Sequence, residues 1–387
     1  MTQRLAWQNG VLESGAVGSS SSRATSRSTS RATSRSSRRS DPGQRPIDLR
    51  SDTVTKPSKQ MRAAMAAAEV GDDVLDGDPT MRKLEERIAA VLSAEAALWV
   101  PSGSMGNLIA LAAHLKRGDA FLAPEGAHVL DAELGTSAWL AGGMPRPMPH
   151  DAGPGQLSPG AVRKAAGTPG PYYTLRTTLL CLENTHNAAG GTVTPPAQHA
   201  ALASAARDAG LRLHLDGARL WHAAVALDVP PAALTVGADT VQVCLSKGLG
   251  APVGSVVAGS ADFATEARRL RKMLGGGVRQ GGVLAAAGLV ALDGMDRLVE
   301  DHAKATQLAT GLRERGWRAE TPQTNIVLVA VLDLPSTLRR LELAGVRAVP
   351  MAGKIRMVTH RDVSTADIDE ALSRIGAVDV GVEGTAS

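Results

Sequence analysis

The chain has 387 residues, 43% of them hydrophobic and 21% charged, which suits a large core divided between two domains. Its 5 Trp, 2 Tyr and 2 Phe are too few to fill that core, which must be built from Ala, Leu and Val. The net charge of +4 is uneven: residues 1–45 hold eight arginines against Glu13 and Asp41, a net of +6, which leaves residues 46–387 at −2 and excludes a body designed to neutralise nucleic-acid phosphates.

Residues 15–45 form a Ser/Arg/Thr repeat with almost nothing to bury, so 1–45 is read as a disordered tail. An organelle transit peptide, a phosphate-binding arm and an inert or untranslated leader all fit its composition, and the last is preferred. Order is expected from Ile47. Pro57 is read as opening a helix to about Val70, and Thr80 as opening a second one after the acidic loop GDDVLDGDP. Strand-like runs at 96–100, 119–124, 177–184, 211–217, 240–246 and 254–259 then alternate with helices at 104–118 and 196–210. Strands alternating with helices of this length imply a mostly parallel central sheet covered on both faces. Beyond residue 292 the texture changes to a long helix at 295–316, short strands at 325–331 and 354–360, and helices at 336–345 and 365–376. That predicts a large α/β domain over 46–292 and a small C-terminal α/β domain over 293–387. No run approaches the ~18 apolar residues of a membrane span. Cys181 and Cys244, each inside an apolar run, are read as reduced thiols of a cytoplasmic protein.

Two of these strands end in charge. LRLHL stops at Asp216 and TVQVCLS at Lys247, and the carboxyl ends of parallel strands line the ligand crevice of such a sheet. An acid and a lysine there suit pyridoxal 5'-phosphate, whose aldehyde takes a lysine amine and whose ring nitrogen takes a carboxylate. A surface lysine and a turn-capping Asp would read the same way. PSGSMGN follows a strand and opens a helix, so Ser102, Gly103 and Ser104 lie where backbone N–H groups await an anion, although Ser102 could equally be an ordinary helix cap. Arg271, Lys272 and Arg279 surround three glycines and fit either a second phosphate contact or a basic surface.

His128 follows a strand end and could stack on a ring. His186 sits beside Glu183, Asn184 and Asn187 in a loop after a buried strand, where Asn184 could meet a ring hydroxyl and His186 a substrate hydroxyl. Arg219, three residues after Asp216, could contact a cofactor oxygen or a substrate carboxylate. Arg356 lies between apolar neighbours on a short strand; a buried arginine needs an anion, either a substrate carboxylate or a structural acid.

IDLRSDTVTKP, GDDVLDGDPT, PSGSMGN, LENTHN, LHLDGARL, LSKGLGAPVGS, RKMLGGGVRQ and IRMVTH, in this order, resemble the low-specificity L-threonine aldolases. The resemblance spans roughly residues 46–375. It implies the aspartate-aminotransferase-like fold, fold type I of the pyridoxal-phosphate enzymes, and retro-aldol cleavage of threonine, allo-threonine and related β-hydroxy-α-amino acids to glycine and an aldehyde. It also implies roles. Lys247 would carry the cofactor, Asp216 would face its ring nitrogen, His128 would stack on the ring, and Ser102, Gly103 and Ser104 would cradle the phosphate. Ser51, Arg219 and Arg356 would hold the substrate carboxylate or cofactor oxygens, with His186 near the β-hydroxyl. A homotetramer, a dimer of dimers with active sites at subunit interfaces, is implied as well, so that Lys272 and Arg279 would serve a neighbouring site. No metal, nucleic acid or membrane partner is expected. Where the family usually has an aromatic before the Glu of the histidine motif and a Tyr in GDDVYG, this chain has Ala132 and Leu75, which predicts tolerance of bulkier β-substituents. Alternatives are another lyase or an aminotransferase of the same fold, or a catalytically silent binding protein, against which the intact Lys247 and Asp216 speak.

Overall fold

The computed structural model describes residues 45–168 and 170–376; the tail expectation up to residue 44 lies outside them. The described residues belong to one contact unit, Ser40–Ser387. Its centre is a seven-stranded sheet in the order Ala96–Val100, Ser255–Gly259, Thr240–Cys244, Arg212–Gly217, Thr177–Glu183, Ala120–Pro124, Met144–Met148. Ser255–Gly259 runs antiparallel to both of its neighbours and every other pair is parallel. Six of the seven strands are buried along nearly their whole length, which is why they read as unbroken apolar runs rather than as alternating ones.

The sequence missed the edge strand Met144–Met148, written MPRPM, because proline cannot donate to a ladder and is confined to edges of this kind. Two helix starts also shift. Ser58, not Pro57, caps the first helix, Lys59–Ala66, with its hydroxyl accepting from Met61 N, and that helix ends well before Val70. Asp78 caps the second, Pro79–Leu92, accepting from Thr80 N and Met81 N, so Pro79 takes the first helical position. The basic stretch before the three glycines is helical, Ala261–Met273.

The helix Gly103–His114 packs against Thr240–Cys244 closely enough that a Cβ on Gly103 would lie 2.9 Å from Cys244 Sγ, and one on Gly106 2.7 Å from Gln242 Cγ. Glycine is required there by contact, not by turn geometry.

A second sheet orders Val349–Met351, Lys354–Val358, Ile326–Ala330 and Arg318–Ala319, all antiparallel, under the helices Leu298–Glu314 and Thr365–Ile375. Ile47 and Leu49, read from sequence as the opening of the large domain, instead bury themselves in this second core, where Ile47–Asp48 pairs in parallel with Val346–Arg347. Among the described residues no helix is long and apolar enough to cross a membrane.

Candidate active site

Asp216 is the fifth residue of the strand Arg212–Gly217 and is 3% exposed. Its Oδ1 accepts from Ala218 N at 3.0 Å and its Oδ2 from Asn107 Nδ2 at 2.8 Å. The same Asn107 Nδ2 donates to Glu133 Oε1 at 2.8 Å, so one amide separates two carboxylates. Ligand atoms of His128, Glu133 and Asp216 lie within 4.8 Å of one another.

Lys247 lies three residues beyond Thr240–Cys244 in a tight loop closed by Gly250 N donating to its carbonyl at 2.8 Å. Thr55 Oγ1 donates to the same carbonyl at 3.2 Å, and Arg297 Nη2 to Gly248 O at 2.7 Å. Gly248 has no room for a side chain, since a Cβ would lie 2.3 Å from His222 Nε2. The half-buried Lys247 ammonium is near enough to act electrostatically on both His128 and Asp52.

The two histidine loops are held by one buried carboxylate. Glu183 ends the strand Thr177–Glu183; its Oε2 accepts from His128 N at 2.7 Å and its Oε1 from Asn187 N at 2.8 Å. His128 Nδ1 bonds Glu133 Oε1 at 2.7 Å, and that bond raises the imidazole's pKa against the pull of burial. His186 is fully buried. Ala189 N donates to its Nδ1 at 3.3 Å, and its Nε2 has no partner among the described residues. Asn184 is not free for a ligand: its amide is spent on Thr194, Nδ2 to the carbonyl at 3.0 Å and Oδ1 from Thr194 N at 3.2 Å.

Arg219 forms a buried bidentate pair with Asp52, Nε to Oδ2 at 2.8 Å and Nη2 to Oδ1 at 2.6 Å, and sends Nη1 to Asn187 Oδ1 at 3.2 Å. Burial is the strongest single influence on the Asp52 carboxylate and works against it, but the charge and hydrogen bonds of Arg219, with His222 and Lys247 nearby, together outweigh it and hold the carboxyl below its ordinary value. Ser51, beside it, caps the short turn Asp52–Val54.

Arg356, on Lys354–Val358, is 6% exposed, and its side chain makes no hydrogen bond or ion pair among the described residues; its Nε is buried without a partner. Burial pulls its pKa down to about 10, Arg219 pushes the same way, and Asp52 only partly opposes them. Of the two anions open to it from sequence, no acid among the described residues is in contact with it.

Ser102 does cap its helix, accepting from Met105 N at 3.2 Å, which leaves Gly103 and the exposed Ser104 at an open helix N-terminus. The basic stretch divides. Arg271 is buried, pairs with Asp73 and donates to Trp99 O at 2.8 Å. Lys272 is exposed, and Arg279, also exposed, pairs with Asp72 at 2.8 Å.

Asp52 and Asn107 were not read from sequence as functional, and Glu183 was read only as part of the polar cluster around His186. Of the first two, Asn107 alone left a trace, as the one amide on the apolar helix MGNLIALAA.

Residues 48–333 match the family model described as Beta-eliminating lyase. The fold superposes on a Leishmania major threonine aldolase structure with a TM-score of 0.73 at 19% identity, covering 85% of this chain and 98% of that one. Such a sheet, with an acid and a lysine at neighbouring strand ends, is that of fold type I, the class that works with pyridoxal phosphate, and the family model makes the chain a lyase. The chain is 44% identical over 341 residues to a probable low-specificity L-threonine aldolase 2 of Arabidopsis thaliana, covering 85% of this chain and 96% of the relative. It is 41% identical over 326 residues to the low specificity L-threonine aldolase of Escherichia coli strain K12, covering 84% and 96%. The chain belongs to the low-specificity L-threonine aldolase family.

Proposed function

We propose that this protein cleaves L-threonine, L-allo-threonine and related β-hydroxy-α-amino acids to glycine and an aldehyde, with pyridoxal 5'-phosphate as cofactor. The observation that carries the reading is Arg356, a buried cation near the Arg219–Asp52 pair with no acid in contact among the described residues, as a site for an amino-acid carboxylate needs. The residues fit the cofactor. Lys247 would take its aldehyde, Asp216 its ring nitrogen, His128 a ring face, and Ser102, Gly103 and Ser104 its phosphate, with Lys272 and Arg279 serving a neighbouring subunit's site. When bound, the cofactor supplies an electron sink for the bond being broken.

The protein supplies position and proton control. Asp216 is fixed by two donors, so its carboxylate cannot turn away. Arg356, helped by Ser51 and Arg219, would hold the carboxylate so that Cα–Cβ is the bond presented for cleavage. The two histidines divide the β-hydroxyl. Ala189 N–H fills His186 Nδ1, so a neutral His186 keeps its proton on Nε2 and donates to the hydroxyl oxygen. His128 has its Nδ1–H on Glu133, which leaves Nε2 as the lone pair able to take the hydroxyl proton. We place the enzyme in the cytoplasm, in threonine catabolism and glycine biosynthesis, as a homotetramer; exposed Leu134, Trp139 and Met273 support burial against other copies.

The test is an acetaldehyde-coupled assay with both threonine diastereomers and no keto acid. Equimolar acetaldehyde and glycine, abolished by Lys247→Ala, is the expected result. Turnover that requires a keto-acid acceptor would overturn the reading in favour of transamination.

A further inference from the structure

Behind Asp216 runs a line of polar groups, buried as far as Thr240 and half-buried at His114, none of them assigned above to substrate or cofactor. Asn107 Oδ1 faces His214 Nε2 at 3.1 Å; His214 Nδ1 faces Thr240 Oγ1 at 2.9 Å; Thr240 Oγ1 faces His114 Nε2 at 3.0 Å. His214 precedes Asp216 by two residues on one strand, so both side chains point to the same face.

The proton positions along this line are forced from its carboxylate end. Asp216 and Glu133, when ionised, only accept, so Asn107 must present its NH₂ to both and its carbonyl to His214. That carbonyl needs a proton on His214 Nε2. The His214 ring is fully buried, and burial pulls its pKa down to about 4, so it is neutral near pH 7 and its Nδ1 is a lone pair. Thr240 spends its single hydroxyl proton on that lone pair and can then only accept, so His114 carries its proton on Nε2. Every donor from His114 to Asp216 therefore points one way.

We propose that His214 is a positioning residue for the cofactor site: by donating to the Asn107 carbonyl it holds that amide in the orientation the carboxylates select, with its NH₂ on Asp216, while Thr240 and His114 extend the same line of donors behind it. The proposal rests on the reading of Asp216 as the partner of the cofactor's ring nitrogen. Without the His214 donor, the Asn107 amide loses the only group among the described residues that holds its carbonyl, and a half-turn would set that carbonyl against two carboxylates.

The full chain would be prepared as wild type, His214→Leu, His214→Gln, Thr240→Val and Asp216→Ala. Each is titrated with pyridoxal phosphate for its dissociation constant, and the pH midpoint of the bound cofactor's visible band is followed in each. Glutamine can donate to Asn107 while accepting from Thr240, whereas leucine does neither. The Leu variant should bind the cofactor ~10-fold more weakly, as expected for loss of a hydrogen bond in a charged network, and move the midpoint by ~1 pH unit. Gln should restore both, and Thr240→Val should move both in the Leu direction by a smaller step. A His214→Leu protein with wild-type affinity and midpoint would overturn the proposal, as would a Gln variant no better than Leu. Should the Leu variant fail to fold, an unshifted Thr240→Val overturns it equally. Wild-type affinity and midpoint in Asp216→Ala would overturn the reading of Asp216 itself, and the proposal with it.

Discussion

Asp52 and Arg219, 167 residues apart in the chain, meet in a bidentate ion pair whose two side chains are almost wholly sealed from water. Asn325 Nδ2 adds a third donor to Asp52 at 3.2 Å. The pair joins the N-terminal turn to the strand end of the large sheet, and its energetics are those of a buried charge. Replacing Asp52 with Asn removes the anion and leaves Arg219 uncompensated, which should lower unfolding stability by ~3–5 kcal/mol. Urea denaturation of the apo protein at pH 7 measures this, and a loss under ~1 kcal/mol, the range of an exposed pair, would contradict the burial argument.

Arg356 predicts the opposite sign. It is a buried cation without an acid in contact among the described residues, so Arg356→Met should leave apo stability unchanged or raise it, because the desolvation penalty disappears with the charge. The same substitution should lower kcat/KM for threonine by roughly 10- to 100-fold, the worth of a charge-assisted hydrogen bond. Calorimetry and steady-state kinetics on one preparation decide both; a stable variant with normal kinetics would remove Arg356 from substrate binding.

Burial sets the pH dependence of folding. His114, His199 and His214 are drawn down from 6.5 to about 4 and His222 to about 3, with His302 shifted the same way. The unfolded chain takes up protons near pH 6.5 that the folded rings refuse. The stability of these neutral rings is therefore complete above that value and lost as pH falls, by up to ~1.4 kcal/mol per pH unit for each ring. His128 has the other sign, its bond to Glu133 stabilising below 6.5 and weakening as pH rises through its raised value. Burial also raises the Glu85 and Glu133 carboxyls, which adds to the His128 side, but the five lowered histidines outnumber these three and predict that urea midpoints drop from pH 7 to pH 5. His199→Phe should flatten that drop, and an unchanged slope would show that His199 titrates normally in the folded protein.

Ala132 follows the short helix His128–Asp131 and precedes Glu133, the partner of His128. Its exposed methyl leaves space beside the histidine where a ring could stand. Phenylserine should be turned over relatively better than threonine by the wild type, and Ala132→Phe should shift the ratio toward threonine by several-fold, in line with ~1–3 kcal/mol for apolar pocket changes. Identical ratios in the two proteins would detach Ala132 from specificity.

The central sheet was legible because buried parallel strands are continuous apolar runs, and Asp216, Lys247 and Arg356 were legible because charge stood out against them. Their partners were not. Nothing near Asn107 signals that it will meet Asp216 across 109 residues, nor does LRSDTV reveal that Asp52 rather than Ser51 will engage Arg219. Hydrogen bonds of that span belong to the packing of whole elements and leave no local period. The edge strand Met144–Met148 failed for a different reason: its prolines argue against a ladder in general but are tolerated where one side is unpaired.

The pairing of Ile47–Asp48 with Val346–Arg347, reinforced by His360 Nε2 donating to Asp48 O across 312 residues, also bears on synthesis. During translation, Ile47 and Leu49 leave the ribosome with no partner until almost the whole chain has followed. Any nascent chain stalled before Val346 carries this apolar pair uncovered, with Asp52 unable to reach its final place beside Arg219. The second core can therefore close only after Val346 and the helix Thr365–Ile375 have been made, so its first-made members must wait, uncovered, for its last.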